Sequence, residues 1–191
     1  MQLYRYLINN NILSPNQFGF QSLHSTEMAS IKLNDYLLTE INKKHIPFSI
    51  FLDLSKAFDS LDHKILLNKL KYYGVRHTEL KWFISYLSGR EQYVQYNNSY
   101  SSKISLNLGV PQGSILGPLL FLVYINDISK ASNIFEHILF ADDTNLSSYL
   151  CTNLKHSCYN ANIESLINIE LKKISDWLDV NRLALNIKKQ R

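Results

Sequence analysis

The stretch Phe48-Ser49-Ile50-Phe51-Leu52-Asp53-Leu54 constrains the fold more than any other. Phe48, Ile50, Leu52 and Leu54 alternate with Ser49, Phe51 and Asp53, the period-two pattern of a strand with one face turned to a core. Asp53 closes that strand on the face opposite the aliphatic row. A second strand is expected from His137 to Phe140 and a returning one from Thr144 to Tyr149, joined by a tight turn at Ala141-Asp142-Asp143. Carboxylates therefore stand at strand ends, where a core has no use for them. If these strands are neighbours in one sheet, Asp53, Asp142 and Asp143 converge. Unpaired carboxylates so close repel, and each needs a cation to stay ionised. Two divalent metals about 3.5–4 Å apart meet that need and build a phosphoryl-transfer centre. Ligands that are all oxygen select Mg²⁺ or Mn²⁺ over Zn²⁺. The competing reading is ordinary turn and cap chemistry, where Asp is common.

Helices fill most of the remaining chain. One is expected from Ser25 or Thr26, either able to cap it, to about Lys44, with Ala29, Leu33, Leu37 and Ile41 as its inward stripe and Pro47 beyond its end. Another spans about Asp62 to Tyr73, with Leu66, Leu70 and Tyr73 on one face and Gly74 as its stop. Thr78 can cap a third, burying Leu80, Phe83, Ile84 and Leu87 and ending at Gly89. Gln92–Tyr96 and Lys103–Leu106 suggest a hairpin turning at Asn97-Asn98-Ser99. Gly109 to Ser114 is a loop, because Pro111 and two glycines disfavour a regular element, and an apolar helix follows to about Asp127. The last helix runs from about Asn160 to Val180 with Ile163, Ile167, Leu171, Ile174 and Leu178 as its stripe, before a terminal strand from Leu183 to Ile187. With no convincing linker, one continuous α+β fold is expected, a small antiparallel sheet with helices on one face.

Composition excludes several classes. A length of 191 residues favours one domain, at most with an extra lobe, and 46% apolar against 19% charged residues is too apolar for a disordered chain. Twenty Lys and Arg against sixteen Asp and Glu leave a net charge of +4, a mild lean toward acidic partners such as nucleic acid. Cys151 and Cys158, seven apart with no second pair, support neither a disulfide framework nor a structural zinc site. The longest apolar run, Ile115 to Ile125, is too short for a membrane span and contains Gly117 and Pro118, so no membrane partner is expected. The first residues do not read as a signal peptide, and an intracellular location is the expectation.

Three segments together carry a specific resemblance: FLDLSKAFD at 51–59, GVPQGSILGPLLFLVYINDI at 109–128, and FADD at 140–143. In order and spacing they closely resemble the reverse transcriptase domain of non-LTR (LINE-like) retrotransposons. ILSPNQFGF at 12–20 with His24-Ser25-Thr26 is similar to the segment before that family's first catalytic motif, and Trp177-Leu178 through Asn186 to the segment after its last. The resemblance implies a right-hand polymerase palm with part of the fingers: partial fingers over about 1–45, and a palm with inserted fingers helices over about 46–191. The first fingers motif and the thumb would be absent. It implies an RNA-directed DNA polymerase that uses Mg²⁺ (or Mn²⁺) to join deoxynucleoside triphosphates to a DNA primer on an RNA template, with action in the nucleus.

The same resemblance implies roles for particular residues. Asp53 and Asp142 would be the principal metal ligands, Asp143 would complete the carboxylate cluster, and the Leu54 carbonyl would add a ligand. The backbone of Ser55, Lys56 and Ala57 would face the triphosphate. Phe58 would be the aromatic gate against a 2′-OH. Gln112 would touch the nucleotide near its sugar, Gly113 would let the chain pass close to nucleotide or template, and Lys189 would assist the pyrophosphate leaving group.

Plainer readings stand beside these: Phe58 as core, Gln112 as a helix cap, Lys189 as a solvated charge, Asp59 and Asp62 as helix-start residues, and Asn126-Asp127 as a helix end. Asp62-His63 lacks an accompanying nucleophile motif and is set aside as a catalytic dyad. Gln21 stands where the family has Arg, which removes a cation, and Gln190 stands where Thr is usual. Two other functions compete: an inactive retroelement remnant with residual nucleic-acid binding, and a palm-like nucleotide cyclase, against which the Pro-Gln-Gly loop argues.

Overall fold

The computed structural model describes residues 2–151 and 157–186, with the side chains of 157–162 excluded. In chain order the elements are α1 (Gln2–Asn9), α2 (Thr26–Asn42), β1 (His45–Leu52), α3 (His63–Tyr72), α4 (His77–Leu87), β2 (Arg90–Gln92), β3 (Gln95–Tyr96), β4 (Ser99–Tyr100), β5 (Ile104–Leu106), α5 (Leu116–Ile125), β6 (Glu136–Phe140), β7 (Asp143–Cys151) and α6 (Ser157–Val180). The mix of helices and small antiparallel sheets is the expected α+β class. The chain forms two compact units, one from residues 1–55 and 125–191, the other from 56–124. The second unit holds buried apolar residues, among them Leu61, Leu66, Leu70, Phe83 and Leu87.

In the first unit, β1, β7 and β6 form an antiparallel sheet in that order, with Leu52 opposite Thr144, Ile138 opposite Asn145 and Phe140 opposite Asp143. Residues opposite one another share a face, so Leu52, Thr144 and Leu139 lie on one side and Phe51, Asn145 and Ile138 on the other. Leu139 and Leu146 are fully buried; each such side chain contributes about 1.5–3 kcal/mol. β1 starts earlier than expected and contains Pro47, opposite Tyr149. It is an edge strand, where a missing N–H is tolerated.

α2 packs on β1 and β6. Ser25 caps it, its hydroxyl accepting from the Met28 N–H. Ile41 does not join the inward stripe and is 53% exposed. The inward position falls to Glu40, whose carboxylate is held by Lys43 at 2.8 Å and His45 at 2.6 Å. α1 has no counterpart among the expected helices; it buries Leu7 and ends at the Asn run, where Asn11 takes φ +52°. Within the stripe of α6, Ile174 and Leu178 are buried. The expected strand after α6 is reduced to a bridge between Leu54 and Leu185, and Ile187 lies outside the described residues.

In the second unit, Asp62 caps α3, its Oδ1 accepting from the N–H groups of Lys64 and Ile65, and Leu66 and Leu70 are fully buried. α4 begins at His77, so Thr78 lies inside the first turn instead of capping it, and the buried residues are Phe83 and Leu87, with Ile84 exposed. The expected hairpin divides into two ladders, β2 with β5 and β3 with β4. Asn97 and Asn98 both take positive φ, as a two-residue turn matched to strand twist requires. Among the described residues, no helix is long and apolar enough to cross a membrane.

Candidate active site

Asp53 directly follows β1 and Asp143 opens β7, one step beyond the paired Leu52 and Thr144. Antiparallel neighbours have Cα atoms about 4.5–5.5 Å apart, so the register brings these two acids to adjacent strand ends. Asp142 precedes Asp143 in the two-residue turn after Phe140, and Ala141 takes φ +56° there. Asp53 and Asp142 are half-buried and Asp143 is exposed.

The chain after α6 returns to brace this end of β1. Asn186 N–H donates to the Asp53 carbonyl at 2.8 Å, Ser55 N–H donates to the Ala184 carbonyl at 2.7 Å, and Asn186 Nδ2 donates to Asp53 Oδ2 at 2.8 Å. The last bond orients the carboxylate. Asp53 and Asp143 line one cavity of about 920 Å³, walled also by Thr26 and Ala29 of α2 and by Phe51 and Asn145 of the sheet. Thr144 Oγ1 and Asn145 Nδ2, on opposite faces of the sheet, are buried without a hydrogen-bond partner.

The donor chemistry fits a hard divalent cation, because the acids at this end offer oxygen alone. Among the described residues, no three His, Cys, Asp or Glu side chains are gathered into one metal-holding group. The arrangement is a strand-end pair with a third acid on the turn, not a closed cage.

The second unit carries the remaining expected contacts. Ala57 is buried, Lys56 is exposed with φ +49°, and Phe58 stacks on Phe121 with centroids 4.7 Å apart. Gln112 does not cap α5: its Nε2 donates to Asp59 Oδ1 at 2.9 Å, and Ser114 takes the capping role by accepting from Gly117 N–H. Gly113 has φ +78° and open space around it. Gln112 and Asp59 line a second cavity of about 450 Å³ with His63, Arg90 and Gln92. His63 Nε2 lies 2.7 Å from the Gly109 carbonyl, a structural tie in place of a dyad. Lys189 lies outside the described residues.

Three residues of the first unit acquire a role that spacing did not reveal. Asn186 holds Asp53, while Gln17 and Gly19 meet the turn that carries Asp142. A buried Gln at 3% exposure signals its role only once its distant partner is known.

Comparison with known proteins identifies the family. The sequence profile of the reverse transcriptase (RNA-dependent DNA polymerase) family matches residues 1–191, and the chain belongs to that family. The probable RNA-directed DNA polymerase from transposon BS of Drosophila melanogaster is 38% identical over 128 residues, 64% of this chain and 13% of that protein. Its counterpart from transposon X-element of the same species is 30% identical over 188 residues, 93% of this chain and 19% of that protein. The chain thus spans less than a fifth of the length of these relatives. A telomerase from Candida tropicalis, solved with a fragment of telomeric RNA, shares the fold at a TM-score of 0.68 and 13% identity, covering 98% of this chain and 32% of that one. The resemblance to non-LTR retrotransposon reverse transcriptases read from the motifs is borne out.

Proposed function

We propose that this chain is the palm, with part of the fingers, of an RNA-directed DNA polymerase that extends a DNA primer on an RNA template. The observation that carries the reading is the adjacency of Asp53 and Asp143 at neighbouring strand ends, with Asp142 on the turn that joins β6 to β7, in a chain of the reverse transcriptase family. Residues 1–45 are read as fingers and 46–191 as palm with inserted fingers helices.

Asp53, Asp142 and Asp143, with the Leu54 carbonyl, would hold two Mg²⁺ or Mn²⁺ ions. When bound, these ions lower the pKa of an attacking hydroxyl and neutralise charge on the triphosphate. The chain's own contribution is positioning. Asn186 keeps the Asp53 carboxylate turned to one side through its Nδ2 bond. Backbone from Ser55 to Ala57 would face the triphosphate. Phe58, kept in place by stacking on Phe121, would exclude a 2′-OH. Gln112, oriented by Asp59, would meet the sugar, and Gly113 would leave room for nucleotide or template. Lys189 would assist the leaving pyrophosphate. No side-chain nucleophile is required, because the primer hydroxyl supplies it. Insertion of a copied element would take the chain to the nucleus.

Primer extension on an RNA template with Mg²⁺ tests the reading. Extension by the wild-type chain, falling at least about 100-fold in Asp142→Ala, is expected. Extension equal in both chains would refute it.

A further inference from the structure

We propose that Gln17 is a positioning residue for the metal-binding turn: its carboxamide clamps both backbone polar groups of Ala141 and so fixes the direction of Asp142 and Asp143. The inference rests on the proposed metal site and deepens it.

Residues 12–19 run as a strap along the outer edge of β6. Leu139 N–H donates to the Asn16 carbonyl at 2.8 Å, and Phe18 N–H donates to the Leu139 carbonyl at 2.7 Å. Gln17 is thereby brought level with the end of β6, and the residue is only 3% exposed. Its Oε1 accepts from Ala141 N–H at 2.9 Å and from Gly19 N–H at 2.7 Å, while its Nε2 donates to the Ala141 carbonyl at 3.2 Å. A side-chain amide thus replaces the strand partner that the turn lacks. Ala141 needs this support, since a non-glycine residue at φ +56° is strained.

Gly19 supplies independent support. A Cβ built there would lie 2.2 Å from Ala141 N and 2.8 Å from its Cα. Strap and turn are in backbone contact, so any displacement of one moves the other. The strap is itself anchored twice. Asn126 Oδ1 accepts from Ser14 N–H and its Nδ2 donates to the Ile12 carbonyl, both at 2.7 Å. Lys32 of α2 donates to Asn16 Oδ1 at 2.7 Å. Gln21, where the family has Arg, donates through Nε2 to the Gln17 carbonyl at 2.8 Å, which commits it to the same strap.

Ala141 touches no metal in this scheme. The clamp acts because Asp142, on the same two-residue turn, and Asp143, which opens β7, directly follow Ala141, and the turn is too short to absorb rotation of the Ala141 peptide. Outer-shell partners of metal ligands are worth about 10–100-fold in metal affinity or activity.

The test compares the full chain with Gln17→Leu, Gln17→Glu and Asp142→Ala. Mn²⁺ affinity is read from the electron paramagnetic resonance of the free ion, exchange of the Ala141 amide by NMR without metal, and folding by cooperative thermal unfolding. Gln17→Leu is expected to weaken Mn²⁺ binding about 10–100-fold and to speed Ala141 exchange, with unfolding still cooperative. Gln17→Glu keeps the accepted bonds and loses the donated one, so its Ala141 amide should remain slow while Mn²⁺ affinity falls; it decides the matter if Gln17→Leu does not fold. Wild-type Mn²⁺ affinity in a folded Gln17 variant would overturn the clamp and leave the metal site intact. A wild-type chain binding Mn²⁺ no better than Asp142→Ala would overturn the metal site, and the clamp's purpose with it.

Discussion

Gly19 has no room for a methyl group, because the nearest atoms are backbone atoms of Ala141 and cannot rotate away. Gly19→Ala should destabilise the protein by about 1–3 kcal/mol, as overpacking does, seen as a lower urea midpoint with unchanged slope. An unchanged midpoint would mean that the strap and turn are farther apart than described. That Asp53 and the Asp142-Asp143 pair stand at strand ends was legible from local pattern, since each breaks an apolar alternation at its end; a metal role for them gained weight over turn chemistry only with the family resemblance. Gln17 and Asn186 were not legible. Their partners lie 124 and 133 positions away, and no period in the chain links residues so distant.

At the scale of elements, helix ends follow from single side chains. The Asp62 carboxylate accepts two N–H groups of the first turn of α3, so Asp62→Ala should cost about 1 kcal/mol, measured by chemical unfolding followed by circular dichroism. No loss of stability would show the cap to be replaced by water. The same acid, in the segment beside Asp53, could have been mistaken for a ligand; the cap geometry explains it without metal. Strand and helix periods gave the order of most elements, and Asn97-Asn98 marked its turn. The failures have definite causes: α4 starts one residue before its apparent cap, and Glu40 displaces Ile41 inward because Lys43 and His45 both bond its carboxylate. α1 is short, and its contribution comes from burying Leu7 rather than from helix propensity.

The whole molecule should respond to acid in two stages. Burial holds the His137 ring below its ordinary pKa of 6.5, despite the bond between Nδ1 and the Phe135 carbonyl. The unfolded chain therefore takes up that proton first. Stability from neutral His137 is complete above pH 6.5 and is lost as pH falls toward the lower folded value. Glu40 and Glu170 are both held below the usual 4.5, chiefly by hydrogen bonds from Lys43 and Lys173. Their contribution is complete above pH 4.5 and disappears below it. Tm should decline from about pH 6.5 and drop again below about 4.5; on the alkaline side it should fall above about pH 10, where the unfolded chain releases the Tyr36 proton that the folded chain holds up to about 12. Scanning calorimetry of His137→Gln should remove the upper stage; persistence of that stage would assign it elsewhere.

The insertion of residues 56–124 between two parts of the other unit also governs timing. β1 emerges from the ribosome roughly ninety residues ahead of β7, its hydrogen-bonded neighbour. At a synthesis rate of about 5–20 residues per second, that delay lasts from about five to twenty seconds. Throughout it, the nascent strand ending at Asp53 has no sheet to join, while residues 56–124 have time to collapse around their own core. The acidic pair is therefore among the last features to assemble, and an mRNA change that slowed translation between them would lengthen the exposure of an aggregation-prone edge.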